Sequence, residues 1–136
     1  MEHPDLGQYA LKIIPSGSRT TCNPAPTDTD EDFVVLIKST HGAFDFIEHM
    51  EGKGYTTDGD ESYDIMVDLE EDAGWASFKK GTTNYIVTMD EDLFGKWVLA
   101  TNIAKRLNLL KKEDRVKLFQ YVLYEAKVSV EDGGVV

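Results

Sequence analysis

The stretch that most restricts how this chain can fold runs from Leu11 to Ile37, LKIIPSGSRTTCNPAPTDTDEDFVVLI. A short apolar strand, Leu11 to Ile14, meets a tight turn, Ser16-Gly17-Ser18-Arg19. A Pro-rich connector follows, and a cluster of acids then opens a second strand, Phe33 to Ile37. Gly17 has no Cβ, so the backbone can bend sharply and approach an anion closely. Successive N–H groups there, with the Ser18 hydroxyl, predict an anion-binding concavity. Arg19 adds a planar fork suited to phosphate oxygens. Across the connector, Asp30 and Asp32 stand two apart at a strand start, so both side chains point to one face. Two such carboxylates suit Mg²⁺, which is commonly held by one or two carboxylates plus phosphates. Asp28 with Asp30 is a second possible register. Asp30 with Asp32 is preferred because Phe33 to Leu36 continues directly as strand.

These residues resemble the nucleotidyltransferase superfamily, the DNA polymerase β-like fold that includes the small MNT-type proteins. That family carries a Gly-Ser turn and, after a connector, an acid-x-acid pair heading a strand. Gly17-Ser18 and Asp30-Glu31-Asp32-Phe33-Val34-Val35-Leu36 are similar to that pattern. Thr83-Asn84-Tyr85-Ile86-Val87-Thr88, the helix from about Leu93 and the segment Asp114 to Tyr124 resemble the C-terminal half of nucleotidyltransferases found in bacteriophage genomes. The resemblance implies an α+β fold, a mixed sheet packed against helices with two helices at the C-terminal end. It implies Mg²⁺ or Mn²⁺ on Asp30 and Asp32, with Asp28 as the alternative metal ligand. Gly17, Ser18 and Arg19 would hold the phosphates of an NTP substrate. It further implies transfer of a nucleoside monophosphate to an acceptor hydroxyl. Active members place a third carboxylate on a later strand, and here Asn84 falls at that place. Asp64 is the substitute if the segment around it supplies the matching strand, and Asp90, beyond the strand end, is a poorer one.

Composition bounds the rest. At 136 residues, with 41% apolar side chains, the chain is expected to form one domain over 1–129 with a real core, followed by a flexible tail, 130–136. No apolar run is long enough to span a bilayer, and the N-terminus carries no signal pattern. A lone Cys22 excludes an internal disulfide and fits a reducing cytoplasm, the host's if the protein is phage-encoded. The formal charge of −11 disfavours general nucleic-acid binding. Distribution qualifies this, because half of the basic residues lie between Lys96 and Lys117 while acids crowd 28–32, 58–72 and 90–92.

Along the chain, residues 1–8 predict a loop or one helical turn, and Pro15 predicts the end of the first strand. Pro24 and Pro26 predict no regular helix over Thr20 to Thr27, where the superfamily usually places a short one. A helix over Gly42 to Glu51 would bury Phe44 and Ile47, with Phe46 and Met50 as further candidates. His41 and His49 read as structural. Residues 55–74 read either as a strand with one polar face or as an acidic flexible segment. Lys80-Gly81-Thr82-Thr83 predicts a hairpin between Trp75–Lys79 and Asn84–Thr88. A helix from Leu93 to Asn108 would turn Phe94, Trp97, Val98, Thr101, Ala104 and Leu107 inward. A second, from about Glu113 to Ala126, would bury Val116, Phe119, Val122 and Leu123. Three functions fit: an active nucleotidyltransferase, a fold relative that binds a protein partner such as a host protein, and an unrelated acidic interaction module.

Overall fold

The computed structural model describes residues 3–26, 30–38, 42–57 and 74–125. Within them the fold is α+β. Five strands form one mixed sheet in the order β1-β2-β5-β4-β3: β1 Ala10–Ser16, β2 Glu31–Ile37, β3 Thr56–Thr57, β4 Trp75–Lys80 and β5 Thr83–Thr88. β1 runs antiparallel to β2, β2 parallel to β5, and β4 antiparallel to both β5 and β3. A 3₁₀ turn, Pro4–Tyr9, precedes the sheet. Four α-helices are described: α1 Ser18–Thr21, α2 Gly42–Gly52, α3 Glu91–Leu107 and α4 Lys112–Gln120, the last running into a π-turn at Tyr121–Glu125.

β2 is central, and its continuous apolar run reflects burial on both faces. Val35 and Ile37 meet Ala43, Phe46, Ile47 and Met50 of α2, while Val34 and Leu36 meet Leu93, Phe94 and Trp97 of α3. The β4–β5 hairpin closes through Gly81-Thr82, with Lys80 paired to Thr83 and Gly81 at φ 62°. That left-handed conformation is one glycine adopts at no steric cost. Helix α3 starts where Asp90 accepts hydrogen bonds from the N–H groups of Asp92 and Leu93, so Asp90 is a helix cap.

Several expectations are corrected. Pro15 does not end the first strand, because it pairs with Phe33 on the edge strand, where a missing N–H costs no ladder bond. Phe44 is 46% exposed, because Ala43, Phe46, Ile47 and Met50 already fill the buried face of α2. Leu107 is 60% exposed, lying at the end of α3 beyond Ala104, the last buried residue of that helix. Val116 is 44% exposed, because α4 buries no residue of its own against the core. A single helical turn, α1, does follow Gly17, closed by Thr21 N–H to Gly17 O at 3.0 Å before the prolines intervene. The readings of 58–73, of His41 and of the tail 130–136 fall outside the described residues.

Candidate functional site

The site is built at one end of the sheet by a single cross-strand row. Asp32 on β2 pairs with Ser16 on β1 and with Asn84 on β5, and Asn84 pairs with Lys79 on β4. Residues in register share a face, so all four side chains stand on the side covered by α3 and α4. Immediately after Ser16 the chain turns at Gly17, whose φ of 71° and ψ of −178° belong to a region essentially reserved for glycine. The turn brings the Gly17 backbone against Asp32. A Cβ placed on Gly17 would overlap Asp32 Oδ2 and lie 2.8 Å from its Cγ. The need for glycine therefore has two causes, the backbone conformation and the carboxylate that occupies the side-chain space.

Around this contact lies a cavity of about 600 Å³. Ser16, Gly17, Ser18, Asp30 and Asp32 line one end. Trp75, Ile86, Trp97, Phe119 and Leu123 form an apolar wall, and Lys112, Val116 and Gln120 of α4 close the other side. A second cavity, about 440 Å³, lies beside β1 next to His3, Lys12 and Phe33, and its lining contains no carboxylate.

The electrostatics of the polar end centre on Asp32. Burial raises its pKa, a hydrogen bond from Asn84 opposes that rise, Asp30 adds to it and Lys79 partly offsets it. Asn84 Nδ2 donates to Asp32 Oδ1 at 2.9 Å, while Asn84 Oδ1 is buried with no donor among the described residues. Asp30 is tied to Lys79 Nζ at 2.8 Å. Ser16 Oγ lies 2.9 Å from Thr101 Oγ1, which donates to Trp97 O at 2.8 Å, so the start of the turn is bolted to α3.

Of the residues singled out from the sequence, Gly17, Ser18, Asp30 and Asp32 come together on one cavity, and Asn84 reaches it through Asp32. Arg19 does not line it; its guanidinium is 3.8 Å from Glu31 on the opposite face of β2. Asp28 and Asp64 lie outside the described residues. No cluster of three or more His, Cys, Asp or Glu side chains suited to a metal occurs among the described residues. Lys112 and the aromatic wall were not singled out as site residues. A basic residue on an amphipathic helix and a tryptophan at core spacing carry no local signal for a cavity formed by tertiary packing. Cys22 is buried and structural, donating to Leu109 O at 3.4 Å and accepting from Arg115 Nη1 at 3.3 Å.

This geometry can be set beside known proteins. The crystal structure of conserved protein GrpB from Enterococcus faecalis is similar over 96% of this chain and 72% of that one, with 13% identity and a TM-score of 0.50. The two share a fold. At 13% identity the likeness extends to architecture alone. No protein-family profile matches the chain, and no curated protein sequence does. Among the described residues, no helix is long and apolar enough to cross a membrane.

Proposed function

We propose that the chain binds a nucleoside triphosphate together with one divalent cation, Mg²⁺ or Mn²⁺, in the cavity beneath α4, and that it transfers the nucleoside monophosphate only slowly to an acceptor hydroxyl. The observation that carries this reading is the contact of Gly17 with Asp32, on a cavity that also receives Ser18 and Asp30. The backbone at Gly17 and the Ser18 hydroxyl would hold phosphate oxygens, and Asp32 and Asp30 would hold the cation. The fit rests on this chain's own atoms. Asp32 is a carboxylate held partly out of water, and Asn84 Oδ1 is a buried acceptor with no donor among the described residues. A cation bound there would neutralise charge on the phosphates.

Asn84 decides the expected rate. Its amide is neutral, so it neither takes a proton from an acceptor hydroxyl nor holds a second cation firmly. Asp30 is engaged with Lys79, whereas Asp32 makes no ion pair among the described residues, so Asp32 would be the principal ligand of the cation and Asp30 the secondary one. Slow transfer, driven by positioning and charge neutralisation, is what such a site supports.

The reading is tested by thermal shift and calorimetry with each NTP and Mg²⁺ or Mn²⁺, followed by incubation with labelled NTP. Metal-dependent NTP binding is expected, and it should be lost in Asp32→Asn. Binding that survives the Asp30→Asn, Asp32→Asn double variant would falsify the assignment.

A second reading draws on Asn84 and on the exposed Leu99, Leu107 and Leu110. In it the chain acts by binding a protein partner, such as a host protein, and the double variant leaves that complex intact.

A further inference from the structure

The cavity has a polar, acid-bearing end and an apolar wall, and an incoming polyphosphate needs counter-charge that neither supplies. A triphosphate neutralised by one divalent cation remains an anion, and Asp32 adds to that negative charge. Four basic side chains stand near enough to consider. Arg19 faces Glu31 at 3.8 Å on the other side of β2. Lys79 is paired with Asp30 at 2.8 Å and does not line the cavity. Arg115 lines the cavity, but its Nη1 is spent on Leu109 O at 2.8 Å, Leu110 O at 2.9 Å and the Cys22 thiol. Lys112 also lines the cavity, is exposed, and makes no hydrogen bond or ion pair with another described residue.

The neighbouring contacts fix where Lys112 points from. Arg115 pins the first turn of α4 to the carbonyls of Leu109 and Leu110 in the link that follows α3, and the N–H groups of Asp114 and Arg115 close that turn on Lys111 O. The backbone at Lys112 is therefore set over the cavity, while the side chain keeps the four-carbon reach of a mobile point charge. Farther along the same helix, Lys117 is exposed and absent from the cavity lining.

We infer that Lys112 is the polyphosphate-binding cation of this site, supplied across the cavity by α4 to the phosphates that Gly17 and Ser18 hold from the sheet side. The inference rests on the nucleotide reading above and specifies the part of the ligand that α4 reads: the phosphate chain, not the nucleoside. Inorganic tripolyphosphate with Mg²⁺ should consequently occupy the same site, and a nucleoside monophosphate should gain nothing from Lys112.

Calorimetry on the full chain tests this with Mg²⁺-ATP, Mg²⁺-tripolyphosphate and AMP, using wild type, Lys112→Met and, as a control, Lys117→Met. Lys112→Met should weaken both polyphosphates by about tenfold, as expected for loss of one charge-assisted contact, and flatten their salt dependence. AMP affinity should not change, and Lys117→Met should match wild type throughout. Circular dichroism on each variant verifies the fold. Polyphosphate affinity within twofold of wild type in Lys112→Met overturns the inference while leaving nucleotide binding intact. Lys112-dependent binding of tripolyphosphate without binding of any NTP upholds the cation site and removes the nucleotide reading. Absence of binding by both polyphosphates overturns the two together.

Discussion

The Asp32 carboxylate fills the space in which a side chain on residue 17 would stand: a Cβ at Gly17 would come within 2.9 Å of Asp32 Cβ and overlap Oδ2. A bend in one strand and an acid in its neighbour are thus one steric unit. Whatever moves the first displaces the second.

Gly17→Ala meets both that overlap and a φ of 71°. The expected cost is roughly 1–3 kcal/mol of stability, the scale of a strained backbone position. Urea denaturation measures it. Metal-dependent nucleotide affinity should fall further than stability does, because the methyl group pushes the carboxylate out of place. Affinity equal to wild type in a folded Gly17→Ala would separate the turn from the site.

Asp32 links stability to pH. Burial, with help from Asp30, raises its folded-state pKa above the ordinary value of 3.8. The folded state therefore binds this proton more tightly than the unfolded state. The contribution to stability is fully present below the unfolded pKa and is lost as pH rises through the folded one. Asp32→Asn removes the charge while retaining an acceptor for Asn84, so it should raise the Tm at pH 7 and leave little difference at pH values below 3.8. A divalent cation should raise the Tm of the wild type more than that of the variant. Scanning calorimetry across pH, with and without Mn²⁺, follows both effects, and a variant less stable than wild type at pH 7 would contradict the account.

Asn84→Asp places a second carboxylate directly beside Asp32 on the adjacent strand. Without metal, like charges in register are destabilising, by up to about 1 kcal/mol. Added Mn²⁺ should recover that loss. If slow transfer is set by the missing acid, the labelled product should form about a hundredfold faster in this variant, the low side of what a positioned base contributes. An unchanged rate with restored metal binding would shift the limit to the acceptor.

Thr101→Val removes the hydroxyl that meets Ser16 and keeps the side-chain shape. Ser16 is 2% exposed, so its own hydroxyl is left buried without that partner. A loss of about 1–3 kcal/mol is expected, the desolvation cost of one such group. Because Ser16 begins the turn, nucleotide affinity should fall in parallel; an unaltered urea midpoint would show that the bond contributes nothing.

The residues that could be recognised in the chain are those whose chemistry is local. Gly17 is called for by the sharp turn itself, Gly81 by a two-residue hairpin, and the run Phe33 to Ile37 by a strand covered on both faces. The pairing of a Gly-Ser turn with Asp30 and Asp32 was legible because strand periodicity already puts both acids on one side. Helix faces were less so. Leu107 and Val116 keep perfect helical spacing yet stay exposed, because periodicity states which residues share a face and not how far a neighbouring sheet extends to cover it.

By itself, then, the sequence determined the central strand, the hairpin and the bend-plus-acids motif, set by backbone sterics and by the period of apolar residues, while the α+β class followed from the family resemblance those residues carry. Only the tertiary structure decided which atoms meet. It set Asn84 against Asp32, drew Arg19 off to Glu31, tied Asp30 to Lys79, and carried Lys112 and Phe119 of α4 to the cavity. Those outcomes depend on strand order and on the placement of helices distant in the chain, and side-chain charge and burial acquire their chemical meaning only from neighbours that no local pattern specifies.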